Sequence, residues 1–280
     1  MRPPRRPLLQ AAPALGVFLL FFAVPMAYFF VVSFWRLRAY RLYPDFSFRN
    51  YLASYRDYLG AGIFTLLMAA TVAVVTTALA FLIGYFIRFK AGRFSRPALF
   101  LALVTLFGGY LVKVYAWKTI LGIDGILNTL LLELGLVTQP VSWLLYSPAA
   151  VLLTLVHFLL PFAILPIYGA LTGIGDVPIE AARDLGAPPH RVLLDIILPQ
   201  CQPGLMSAFA LAFLISAGDY VTPLLVGGPQ TFMVGTFIQS QFLNRLDAPV
   251  GSALSYSLLA ACLLLLVLVR ALLARLLRAR

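Results

Sequence analysis

The sequence predicts an all-α integral membrane protein with six transmembrane helices. Hydrophobic residues make up 62% of the 280-residue chain and charged residues only 11%, whereas a soluble domain carries roughly 25% charged residues. A helix needs about 20 apolar residues to cross the hydrocarbon core. Six stretches reach that length, near residues 13–35, 62–87, 98–118, 148–172, 204–227 and 250–273. The basic residues gather at the ends of these stretches, so the net charge of +11 reads as membrane topology rather than as affinity for nucleic acid.

Taken in order, residues 1–12 are rich in Arg and Pro and are expected as a cytoplasmic tail. The first span opens near Pro13 and closes in a belt of Phe34, Trp35 and Arg36. No small-residue cleavage site follows it, so it reads as a retained anchor and not as a signal peptide. Residues 37–61 are expected outside, with Tyr51, Tyr55 and Tyr58 marking a short interfacial helix. The second span carries Ala69, Ala70, Thr71, Thr76, Thr77 and Ala80, small residues that let helices approach closely in lipid. Arg88 to Arg96 form a short basic turn inside, where Tyr85 and the turn suit contacts with lipid or a cytosolic partner. The third span ends with Tyr110, Lys113, Tyr115, Trp117 and Lys118.

Residues 122–147 carry no basic residue, and Asn128 to Leu136 read as a short helix at the outer surface. The fourth span contains Pro161 and Pro166. Each removes a backbone donor and predicts a kink. The fifth span holds Ser216, Gly218, Asp219, Thr222 and Pro223, and residues 228–249 form the last outer loop. The sixth span ends in Arg270 and an Arg-rich tail. With the N-terminus inside, 13 basic residues fall in cytoplasmic segments and 6 in outer ones, which favours both termini in the cytoplasm. The five Arg of the first outer loop run against that rule.

Composition also limits the chemistry. There is no Gly-rich loop with Lys and Ser/Thr, so the chain is not expected to bind ATP or Mg itself. Cys201 and Cys262 lie in different environments, and no C-x-x-C or His/Cys cluster suggests a metal. His157 is mid-span and reads as packed or hydrogen-bonded; His190 is in the cytoplasmic loop. An embedded enzyme would need paired acids or a nucleophile beside a base, and none stands out in the spans. An ion-coupled carrier would need buried coupling charges and usually two related halves, and only Asp219 answers that description.

The segment 180–205, EAARDLGAPPHRVLLDIILPQCQPGL, is the polar exception in an apolar chain. Glu180 to Leu185 form helix readily, with a carboxylate in the first turn. Gly186 can break or bend that helix. Pro188-Pro189 suit the start of a second helix. Val192, Leu193, Ile196 and Ile197 then recur at helical spacing, and Pro199 is expected to end it. Two short helices at an angle, apolar on one side, suit a groove on a partner.

The same residues read E-A-A, three residues, G, nine residues, I, one residue, L-P. This resembles the EAA loop of binding-protein-dependent ABC importer permeases, with every fixed position matched. Two further segments resemble the spermidine/putrescine branch of that family. They are Tyr110-Leu-Val-Lys-Val-Tyr-Ala-Trp117 with Gly125-Ile-Leu-Asn128, and Gly218-Asp-Tyr-Val-Thr-Pro223 with Gly227-Gly-Pro229. The resemblance implies the type I, methionine-importer-like permease fold over residues 13–280, with a coupling loop at about 173–203. It implies a bacterial inner-membrane complex containing a cytosolic ATPase dimer that binds ATP and Mg, a second permease subunit and a solute-binding protein at the outer face. It also implies that Glu180, Ala181, Ala182, Asp184, Gly186, Ala187 and Arg191 act as mechanical contacts with the ATPase. Relatives in this branch carry polyamines, opines, other cationic amines and organic solutes.

Substrate-path candidates follow from charge and position. Asp219 lies roughly 22 Å from the inner end of its span at 1.5 Å per residue. A carboxylate there either faces a water-filled path, where it would attract a cation, or caps and pairs within the bundle. Tyr220 would add cation–π attraction if its ring faces the path. Lys113 and Trp117 share one helix face, and Tyr115 and Lys118 complete the cluster. This group fits either snorkelling and anchoring at the outer boundary or a gate. Asp124 fits a helix cap or a contact with the delivering protein.

Overall fold

The computed structural model describes residues 13–278, with side chains to residue 273; the Arg-rich tail expected over residues 1–12 lies outside them. The described chain is helical apart from one small hairpin. Helix α1 is Pro13–Val32. Strands β1 (Arg36–Arg38) and β2 (Arg41–Tyr43) pair antiparallel, with Leu37 opposite Leu42. Helix α2 is Arg49–Phe89, α3 is Ser95–Val104, α4 is Tyr110–Leu121 and α5 is Ile126–Glu133. Helix α6 is Pro148–Gly173, α7 is Asp176–Asp184 and α8 is Pro189–Gln200. Helix α9 is Gln202–Ala217, α10 is Val234–Leu243 and α11 is Ala248–Arg278.

Among the described residues, four helices are long and apolar enough to cross a membrane: α1, α2, α6 and α11 within Ala248–Leu273. The count reaches six if two bent pairs are each taken as one span. The expected third span is one of these pairs: α3 with its flanking turns meets α4 and α5 at 94°. The cause is local. Thr105–Phe107 tighten into a 3-10 turn, Gly108 is extended at φ −73 and ψ 123, and Gly109 follows. Two glycines in series favour neither helix nor any one direction. The expected fifth span is likewise interrupted. It opens with α9, which meets α8 of the preceding loop at 67°, stops at Ala217, and resumes after Asp219 and Tyr220 with a short turn that is π-helical over Pro223–Gly227.

Other elements depart from the sequence reading by continuity. The helix expected around Tyr51, Tyr55 and Tyr58 is not separate, because α2 runs unbroken for 41 residues. That is about 60 Å at 1.5 Å per residue, twice the hydrocarbon thickness of about 30 Å. The segment expected as the first outer loop holds the hairpin, whose turn places Ala39 and Tyr40 at positive φ. The segment expected as the last outer loop holds α10. The short helix expected from Asn128 to Leu136 ends at Glu133. Helix α6 continues through Pro161 and Pro166. It starts where Ser147 Oγ accepts the Ala150 N–H at 3.1 Å, with Pro148 behind it, a normal N-cap.

The chain forms two compact units. The first comprises the described part of Met1–Gly60 together with Phe237–Ala260. In it Asn50 Nδ2 donates to the Ser33 and Trp35 carbonyls at 2.8 Å each, and Gln241 Nε2 donates to Tyr58 Oη at 2.9 Å. The second comprises Ala61–Thr236 and Ala261–Arg280. Its core is α6 packed on α9, with Ile164, Ile167, Leu171 and Phe213 buried. Gly204 makes that packing possible: a Cβ there would stand 2.6 Å from both the Pro166 carbonyl and the Ala170 Cβ. In the same unit Asn128 clasps the segment after α5, donating to the Gly122 carbonyl at 3.0 Å and accepting the Val141 N–H at 2.7 Å.

Candidate functional site

Two groups of residues in the second unit carry chemistry. The first is the loop from α7 to α8. Helix α7 ends in a Schellman motif: the Ala187 N–H bonds the Ala182 carbonyl, and the Gly186 N–H bonds the Arg183 carbonyl, both at 2.9 Å. This geometry requires a left-handed residue just past the helix, and Gly186 has φ +80. Pro188 is extended, Pro189 opens α8, and Val192–Ile197 form a π-helical turn. Helix α8 runs to Gln200, one residue past Pro199.

The loop has an inner and an outer face. Ile179, Val192 and Ile197 are buried with Ala163, Ile164, Ile167 and Leu171 of α6, and Ala182 and Ala187 pack against that cluster. Glu180, Ala181, Asp184, Gly186 and Arg191 are exposed. The candidate coupling residues are thus divided, with Ala182 and Ala187 holding the loop down and the others bare. Leu185 is 88% exposed and Val177 76% exposed. Bare aliphatic side chains on a polar face mark a contact surface. The residue reading passed over both, although their hydrophobicity between charged neighbours is visible in the sequence.

The second group lies where the two interrupted spans meet. Tyr110, the first residue of α4, donates to Asp219 Oδ1 at 2.6 Å and is 2.8 Å from Thr222 Oγ1. The Val221 N–H donates to the same Oδ1 at 3.0 Å. Asp219 Oδ2 is shielded from solvent and has no hydrogen-bond partner among the described residues. The Tyr110 ring lies on Phe158 of α6, with centroids 4.7 Å apart. Lys113 is one turn further along α4. It is only 7% exposed, and its Nζ rests 5.3 Å from the Phe158 ring centre with no hydrogen-bond partner among the described residues. Trp117 is one turn further again and meets His157 edge-on at 5.7 Å.

One face of α4 therefore presents Tyr110, Lys113 and Trp117 to His157 and Phe158. Of the two readings of the Lys113 group, boundary anchoring or a gate, the burial of Lys113 with its ammonium over an aromatic face speaks against snorkelling. Tyr115 and Tyr220 are exposed and join neither Phe158 nor Asp219. Asp219 caps the turn at Val221 through one oxygen while the other stays free. Tyr110, Thr222 and Phe158 were missed as site residues. The spacing of Tyr110 three residues before Lys113 was the available signal. Carboxylate, phenol and aromatic faces together suit an ammonium group.

The family model for the binding-protein-dependent transport system inner membrane component matches residues 8–280. The chain belongs to this family. It is an inner-membrane permease component of an importer, a transport subunit and not an enzyme. Among its relatives is the spermidine/putrescine transport system permease protein PotB of Haemophilus influenzae, 36% identical over 196 residues, 69% of this chain and 68% of the relative. PotB of Escherichia coli K12 is 36% identical over 197 residues, 69% of this chain and 71% of the relative. The inner membrane ABC transporter permease protein YdcU of the same strain is 30% identical over 254 residues, covering 82% and 80%. A bacterial alginate ABC transporter, solved with a periplasmic protein bound to an alginate pentasaccharide, has a chain of the same fold: TM-score 0.76 over 98% of this chain and 96% of that one, at 17% identity. That fold is the importer-permease architecture expected from the sequence.

Proposed function

We propose that this permease carries polyamines of the spermidine/putrescine class across the bacterial inner membrane. The observation that carries the reading is the 36% identity to spermidine/putrescine permeases over more than two thirds of both chains. The free Asp219 oxygen beside Tyr110 and Phe158 supports it chemically, since a diamine brings its own ammonium groups to such a place. Residues 13–280 act as one permease domain with both termini in the cytoplasm. The loop from α7 to α8 docks on a cytosolic ATPase dimer that binds ATP and Mg. Exposed Leu185, Val177, Glu180 and Arg191 make that contact. A second, related permease completes the pathway, and a solute-binding protein delivers the cargo from outside.

The test is ATP-driven uptake of radiolabelled spermidine and putrescine by proteoliposomes holding the complete complex and its binding protein. Uptake of either above the ATP-free control supports the reading. A second reading, an opine or similar amino-acid derivative as cargo, is favoured by one observation: the unpaired ammonium of Lys113 would suit a carboxylate. Uptake of an opine with no polyamine uptake would replace the first reading with the second.

A further inference from the structure

We propose that Arg88 and Asp176 form the hinge through which the coupling loop moves the second spanning helix. Arg88 Nη2 lies 2.8 Å from Asp176 Oδ1. Arg88 is in the last turn of α2 and Asp176 in the first turn of α7. Each charge therefore sits where its own helix dipole favours it: a cation at a C-terminus and an anion at an N-terminus. The guanidinium is also held over the Phe89 ring at 4.9 Å. The residues that a sequence reading assigns to lipid or to the ATPase thus include one that is engaged inside the chain.

Beside the ion pair the seam between α2 and α7 stays partly open, while Tyr85 and Phe89 of α2 pack on the apolar cluster that holds Ile179. A polar cavity of about 210 Å³ lies between them, lined by Tyr85, Phe89 and Lys90 on one side and by Ile179, Glu180 and Arg183 on the other. An ion pair at one point and a cleft beside it is the geometry of a pivot. The loop is tied covalently to α6 before it and α9 after it, and Arg88, through Asp176 and, at 3.5 Å, the Ile174 carbonyl, adds a polar link to a third helix. The side chains are 24% and 64% exposed, and exposed ion pairs add little to folding. Removing the pair therefore leaves a folded subunit in which only apolar packing still carries motion from the loop to α2. The inference rests on the importer reading above, because it needs an ATPase to drive the loop.

The experiment measures solute transported per ATP hydrolysed by the full complex in proteoliposomes, for Arg88→Ala, Asp176→Ala and the exchange Arg88→Asp with Asp176→Arg. Both single variants are expected to assemble and hydrolyse ATP but to lose about fivefold or more in transport per ATP, with recovery in the exchange. Unchanged transport per ATP in the single variants overturns the proposal. So does a fall explained wholly by lost complex, with transport per ATP constant in what remains. A wild-type complex that hydrolyses ATP but takes up no solute overturns the importer reading instead.

Discussion

Tyr110 and Asp219 tie together the two places where a spanning helix breaks. Tyr110 follows Gly108-Gly109 and Asp219 follows Gly218, and their side chains meet at 2.6 Å. A hydrogen bond to a charged acceptor contributes about 1.5–3 kcal/mol, so this contact also fixes how the broken ends approach each other.

Substitution separates the charge of Asp219 from its shape. Asp219→Asn keeps an oxygen for the Val221 N–H and the Tyr110 hydroxyl but removes the charge. Spermidine uptake should fall about tenfold with little change in melting temperature. Tyr110→Phe should lower the melting temperature and uptake together. If Asn leaves spermidine uptake intact, the carboxylate serves the fold and not the cargo.

Gly186 can be tested through its backbone. Nothing lies within 4 Å of a Cβ placed there, so the penalty of substitution is the left-handed conformation itself, about 1–2 kcal/mol for an ordinary residue. Asn tolerates that region better than β-branched residues do. Uptake per assembled complex should decline in the order Gly, Asn, Ala, Val. Full uptake by Gly186→Val would show that the Schellman turn is dispensable for coupling.

Lys113 makes an unusual stability prediction. Burying an unpaired ammonium costs several kcal/mol, and Met keeps the length while gaining a sulfur contact with Phe158. Lys113→Met should therefore raise the melting temperature of the purified complex or leave it unchanged, while altering uptake. A clear drop in melting temperature would mean that the ammonium is compensated within the assembled complex.

What the sequence made legible follows from which forces act locally. The loop from α7 to α8 was readable because its signals are short-range: Gly186 at a left-handed position, Pro188-Pro189 at a helix start, and apolar residues at 3.6-residue spacing. The four long spans were readable because hydropathy reports burial in lipid. The corners at Gly108-Gly109 and Gly218 were not, because a window average over apolar neighbours hides three residues without side chains. The inward turn of Lys113 was hidden for a different reason. Snorkelling is the cheaper fate for a lone lysine, and only the aromatic face of Phe158, 45 residues away in sequence, offers the alternative. Tyr110 and Thr222 became site residues through a contact 112 residues apart, which no local pattern encodes.

The interrupted spans have a consequence for how this protein can be probed. At a helix end the terminal N–H and C=O groups lack intrahelical partners, and in lipid such groups persist only where protein or water meets them. The start of α4 exposes main chain in this way: no side chain caps it, and its first residue, Tyr110, meets Asp219. A solute that crossed there would touch peptide groups that no side-chain substitution removes. An alanine scan of this segment is therefore blind to part of the lining. Amide-to-ester replacement at Tyr110, which deletes a single backbone donor, would reach the part it misses.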